Sequence, residues 1–189
     1  MTPQLEAYLA HLTPAATEHV RWFDGRVQLR LDTYICAEQP PDEYVTSVRA
    51  ILLADQSVVV MRNPSDYHIL PGGRREAGEA LEDALRRELL EETGFAVGAP
   101  TMIGVLHFHH LTPKPGNYPY PYPDFLQAVY VAEPRGARSR PPRDKDEYEV
   151  EARLQPVAQT AALGLPSGQL ALLQQALLTL TPSDGEGDA

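Results

Sequence analysis

Internal disulfide chemistry is closed to this chain. Cys36 is the only cysteine in 189 residues, so a reducing, cytoplasmic setting is expected, and a lone thiol of this kind reads as a small buried hydrophobe. Basic residues are scarce, with Lys+Arg 16 against Asp+Glu 26 and a formal net charge of −10. That balance argues against a dedicated nucleic-acid or anionic-membrane surface unless metal ions intervene. Nowhere do about 18 apolar residues follow one another, and the opening MTPQLEAYLAHLTPA lacks a basic start ahead of a long apolar run. Neither a membrane span nor a secretory leader is expected. The phosphate-loop pattern GxxxxGK(S/T) is missing, as is any internal repeat.

What remains is one domain with terminal extensions. Leu5, Tyr8, Leu9 and Leu12 recur at helical spacing, which predicts a short helix over 3–13. RVQLRLDTYI alternates as a half-buried strand behind an Asp24-Gly25 turn. TSVRAILLADQSVVVMRN reads as two strands around a turn at Ala54 to Gln56, and its continuous apolar runs suggest strands covered on both faces. A short strand at His68 to Leu70 feeds Pro71-Gly72-Gly73, after which Glu79 to Thr93 is expected to be helical, with Gly78 as N-cap and Gly94 as the left-handed residue that ends it. Strands follow at Met102 to Leu111, Phe125 to Glu133 and Ala152 to Leu154, then an amphipathic helix in SGQLALLQQALLTL. Strands interleaved with two principal helices imply an α/β layered sandwich on a mixed sheet. Residues 1–45 read as an N-terminal extension, a helix plus a strand, packed on a main domain of 46–181, and 182–189 as a disordered acidic tail.

The helix at 79–93 carries acids where a helix disfavours them. At about 100° per residue, Glu88 and Glu92 fall within about 20° of Leu81, along the apolar stripe, with Glu91 at its border. Burying bare carboxylates costs several kcal/mol. The helix's negative end disfavours each by about 0.3–1 kcal/mol, and the i, i+3 and i+4 spacings add mutual repulsion. A cation at that spot removes all three penalties, and carboxylates without Cys or paired His select hard ions, Mg²⁺ or Mn²⁺. The plainer alternative is a solvated acidic helix end with Arg87 paired to Glu91. Gly72 and Gly73 let the backbone approach a ligand closely or adopt positive φ, so strand, glycine turn and acidic helix together describe a site for a phosphate-bearing substrate.

Gly73, five residues, Glu79, seven residues, then Arg87-Glu88-Leu89-Leu90-Glu91-Glu92-Thr93-Gly94-Phe95 resembles the Nudix box GX5EX7REUXEEXGU (U, bulky apolar) at every fixed position. The resemblance implies a Nudix-type α/β/α sandwich and a pyrophosphohydrolase that cleaves a nucleoside diphosphate derivative (NDP-X to NMP plus P-X). It implies Glu88, Glu91 and Glu92 as ligands of Mg²⁺ or Mn²⁺, the Gly73 carbonyl as a further ligand, Glu79 as a supporting or water-mediated one, and Arg87 as the residue that orients them. A base must take a proton from water. Glu88 competes for this role with Glu147, Glu149 and Glu151, and Glu149 is favoured by its place before the last strand. Such proteins also include nucleotide-binding or regulatory members without turnover, which usually lose box residues, and isoprenyl-diphosphate isomerases, whose catalytic cysteine Cys36 is poorly placed to supply.

Substrate contacts are less legible. Gly72 and Gly73 are expected at the diphosphate, as are His107 and His109, which share a strand face, unless these histidines are structural. Tyr120 and Tyr122 belong to the stiff NYPYPYPDF segment, which could stack a base or cover the core. Arg135, Arg138, Arg140, Arg143 and Lys145 form a basic loop that steers anions or is simply solvated. The expected partner is a small nucleotide diphosphate, with a homodimer left open.

Overall fold

A computed structural model describes residues 2–64, 66–114, 116, 118, 120–139 and 151–180. Its centre is a sheet of β1 (Ala16–Trp22), β2 (Val27–Ile35), β7 (Thr101–His110), β8 (Asp124–Ala132), β3 (Val45–Ala54), β4 (Ser57–Arg62) and β10 (Glu151–Pro156), in that spatial order, with β5 (Tyr67–His68) paired to β4. A separate two-stranded ladder joins β6 (Ala96–Val97) to β9 (Pro134–Arg135). The sheet is mixed: β3 runs parallel to β8, with Val48 beside Ala128, while the other neighbours are antiparallel.

Three helices cover it. α1 (Pro3–Leu9) and α2 (Leu81–Thr93) bury Leu5, Tyr8, Ala84, Leu85 and Leu89 in one core with Val48, Ala50, Leu126 and Ala128. α3 (Ser167–Leu180) buries Leu172, Leu173 and Ala176 in a second core with Ile51, Val129 and Phe125 on the opposite face. Alternation along β3 and β8 divides these sets, which is why both strands read as apolar runs. Each fully buried leucine contributes about 1.5–3 kcal/mol of transfer free energy. Among the described residues, no helix is long and apolar enough to cross a membrane.

The expected strands and helices are present, but α1 ends at Leu9 rather than at 13, α2 starts late, and β1 adds a strand. α2 begins at Leu81, not Glu79, and Gly78 is not its cap: Ala80 holds that position in extended conformation without a side-chain bond, while Gly78 turns the chain earlier at φ 78. Gly94 ends the helix at φ 76, as expected. β1 was not legible, because its burial alternates between half-buried and exposed and an outer strand rich in Thr, Glu, His and Arg has a weak apolar signal. It makes residues 16–35 a hairpin continuous with the main sheet. The acidic tail at 182–189 lies outside the described residues.

Candidate metal and substrate site

The glycine loop runs beside β3 as a further strand-like segment. Val48 N donates to Gly73 O (3.0 Å), Ala50 N to Pro71 O (2.9 Å) and Arg75 N to Thr46 O (3.2 Å). The two glycines are required for different reasons. Gly72 sits at φ +130, where a Cβ would collide with the Val48 carbonyl and lie 3.0 Å from Arg49 Cα. A Cβ on Gly73 would fall inside the Glu88 carboxylate, so the bare α-carbon is the space that Glu88 occupies. Glu92 Oε2 accepts from Gly72 N at 2.7 Å, and the Arg49 guanidinium donates to Gly72 O from the other side.

Arg87 organises the acids. Its Nε and Nη2 each donate to Glu79 at 3.0 Å, a bidentate fork, while Nη1 reaches Glu88 Oε1 at 2.9 Å and Glu91 Oε2 at 3.4 Å. This fork, then the Glu76 N–H, lowers the Glu79 carboxyl to about 2, and the same bond to Glu79 pushes Arg87 upward. A carboxylate depressed in the folded state adds stability above its unfolded value and loses it only as pH falls toward 2. The fork therefore stays ionised across the neutral range. Glu88 and Glu92 are half-buried on the helix face turned to the glycine loop, and Glu91 is exposed. Among the described residues, no three His, Cys, Asp or Glu side chains converge as they stand into an ion-holding group; Arg87 lies between Glu88 and Glu91. The negative end of α2 meets Arg138, whose Nε donates to Thr93 O at 2.8 Å and whose guanidinium lies 5.5 Å from the Phe95 ring centroid. Arg138 thus offsets the helix dipole. Arg140, Arg143, Lys145, Glu147 and Glu149 lie outside the described residues, and Glu151 pairs with Arg62 at 3.5 Å on the sheet edge.

The two histidines sit differently. His107 and His109 share a face, as expected, but His107 is only 1% exposed and its Nε2 sits 2.8 Å from Asp124 Oδ1, so it has no path to a diphosphate. His109 Nδ1 shares the same oxygen at 2.8 Å. Burial raises the Asp124 carboxyl, but the two histidine bonds outweigh it and leave the carboxyl below its ordinary value. Asp124→Asn is expected to cost about 3 kcal/mol in urea unfolding at neutral pH, because both histidines then face a buried amide. The wild-type advantage should shrink below about pH 4, where a depressed carboxylate begins to lose its contribution. Cys36 lies 3.5 Å from Tyr8 Oη, and burial pushes its thiol up, away from thiolate chemistry.

Beside the glycine loop opens a cavity of about 710 Å³, lined in part by Arg49, Arg74, Tyr118, Tyr120, Phe125 and Gln127. Arg74 lies 5.1 Å from the Tyr120 ring centroid. Tyr120 is therefore at the cavity, whereas Tyr122 is not among its lining: its hydroxyl donates to Thr112 O at 3.1 Å and its ring packs 5.1 Å from His110. Sequence reading missed Arg49 and Gln127. The available signal was polarity inside apolar strands, one Arg in SVRAILLA and one Gln in FLQAVYVA.

The NUDIX domain family model matches residues 43–175; the chain belongs to the Nudix family. In sequence it is 36% identical over 59 residues to the uncharacterized Nudix hydrolase YvcI of Bacillus subtilis, an alignment covering 31% of this chain and 37% of that protein. It is 28% identical over 101 residues to the NAD-capped RNA hydrolase NudC of Escherichia coli O157:H7, covering 52% of this chain and 35% of that one. The matches thus span little more than a third of these relatives. In structure it resembles a point mutant of the B. subtilis pyrophosphohydrolase BsRppH, with TM-score 0.56, 15% identity and coverage of 86% of this chain and 98% of that one. It also resembles the NUDIX domain of Shewanella oneidensis NrtR, crystallised with ADP ribose, with TM-score 0.52, 18% identity and coverage of 96% and 100%. At these identities the likeness establishes the shared fold.

Proposed function

We propose that this protein is a metal-dependent pyrophosphohydrolase that cleaves the diphosphate of a nucleoside diphosphate derivative to a nucleoside monophosphate and a phosphorylated second half. The observation that carries the reading is the Glu88 carboxylate lodged in the space of the absent Gly73 side chain, inside a complete Nudix box. Nudix hydrolases use divalent metal ions in general. The donor set here, carboxylate and carbonyl oxygens only, fits Mg²⁺ or Mn²⁺. Glu88, Glu91, Glu92 and the Gly73 carbonyl would hold the ion, with Glu79 in support. A bound ion would neutralise the diphosphate and lower the pKa of water.

The chain's own residues prepare for that. Glu88 and Glu91 must leave Arg87 to take up an ion, and the Glu79 fork keeps Arg87 in place when they do. Arg87 then acts as a positioning residue rather than a ligand. Gly72 and Gly73 allow the loop to approach the phosphates, and Arg74 supplies positive charge at the cavity. Glu88 is one acceptor for the proton of the attacking water; Glu149 is the other we favour.

The reading is tested by a product screen with Mg²⁺ or Mn²⁺ over nucleoside triphosphates, nucleotide sugars, ADP-ribose, dinucleoside polyphosphates and coenzyme A. Metal-dependent release of a nucleoside monophosphate from at least one class is expected. No turnover of any class would point to a nucleotide-binding protein without hydrolysis.

A further inference from the structure

The cavity beside the glycine loop has a wall that the family match does not reach. Trp22, Phe23 and Arg26 precede residue 43, where the match begins, yet all three line the cavity together with Arg49, Arg74 and Gln127. They come from the end of β1 and the turn into β2. That turn is unusual: Phe23 and Asp24 both have positive φ, 52 and 56, which L residues adopt at a cost. Phe23 gains little from burial in return, since it is 66% exposed. Arg26 fixes the turn, its backbone N and its Nε both donating to Phe23 O at 3.1 Å. Trp22 packs on the core at a tilt, its ring 5.5 Å from Phe108 and 6.0 Å from Phe125 with interplanar angles of 42° and 43°.

Charge points the same way. Among the described residues lining the cavity are three arginines, Arg26, Arg49 and Arg74, and no carboxylate, in a chain of net charge −10. At about 710 Å³ the space lies within the usual range for small-molecule pockets. Flat aromatic rings and guanidinium groups around one cavity suit a ligand that has both a π face and negative charge.

We propose that the β1–β2 hairpin is the specificity element of the site: Trp22 and Phe23 receive the planar base of a nucleotide whose phosphates lie toward Arg74 and the glycine loop. This rests on the hydrolase reading for the placement of the phosphates, whereas base binding itself does not require turnover.

Trp22 is the only tryptophan, so intrinsic emission reports on this wall. The full chain, kept metal-free with chelator, is titrated with AMP, GMP, CMP, UMP and ribose 5-phosphate. Saturable quenching by at least one nucleotide and none by ribose 5-phosphate is expected. Phe23→Ala and Arg26→Ala, both on an exposed turn, should each raise the Kd by about tenfold, the scale of one lost stacking or ionic contact. Equal quenching by ribose 5-phosphate, no saturable change by about 5 mM, beyond the usual KM range, or wild-type affinity in Phe23→Ala would each overturn the proposal. Absence of turnover with the quenching pattern intact would instead count against hydrolysis alone.

Discussion

Replacing Glu92 with glutamine is expected to lower kcat by about 10²–10³-fold while leaving the melting temperature nearly unchanged. The magnitude follows from several kcal/mol of metal-supplied charge stabilisation at 1.36 kcal/mol per tenfold. The separation of activity from stability follows from one bond. Glu92 Oε2 accepts from Gly72 N, and a glutamine carbonyl can accept the same hydrogen, so the loop stays tied to α2. Only the negative charge is lost. Steady-state kinetics on whichever substrate the product screen identifies, alongside thermal unfolding, checks both halves. An unchanged kcat would remove Glu92 from the metal site.

Gly72→Ala should act on the fold instead. The new methyl group meets the Val48 carbonyl and the backbone must still hold φ +130, a combination of clash and strain worth about 3–5 kcal/mol. For a domain of this size that is a drop of roughly 10 °C in Tm. Gly73→Ala is the informative contrast. The three atoms nearest its Cβ all belong to the Glu88 carboxylate, the far end of a side chain that can rotate away, so Tm should fall far less while kcat falls as Glu88 is displaced. Thermal unfolding and kinetics of the two variants together separate a glycine needed for conformation from one needed for room. Equal Tm losses would contradict that division.

Most of this site was legible because its signals are local. The acids of α2 could be placed on a wheel, and Gly94 ends the helix at positive φ as its position past Thr93 suggested. The glycine pair also could be flagged, although not the reason each is needed: pairing with β3 brings Val48 to the loop, and α2 brings Glu88. His107 failed for the same reason. Alternation correctly paired it with His109, but His107 is buried against Asp124 on the neighbouring strand while His109, bonded to the same oxygen, stays partly exposed. Arg138 reads from sequence as part of a loop that steers anions or is solvated, and its bond to Thr93 O places it at the helix end. The hairpin wall was least legible, since β1 has no fully buried residue and so carries no apolar stripe to reveal it.

The central claim is that Glu88, Glu91 and Glu92 hold a divalent ion beside the glycine loop. Mn²⁺ titration followed by electron paramagnetic resonance tests it without requiring a substrate. Loss of the free-ion signal on adding wild-type protein, and its return in Glu88→Gln and Glu92→Gln proteins of unchanged fold, is the expected result. Equal Mn²⁺ binding by wild type and both variants would contradict it.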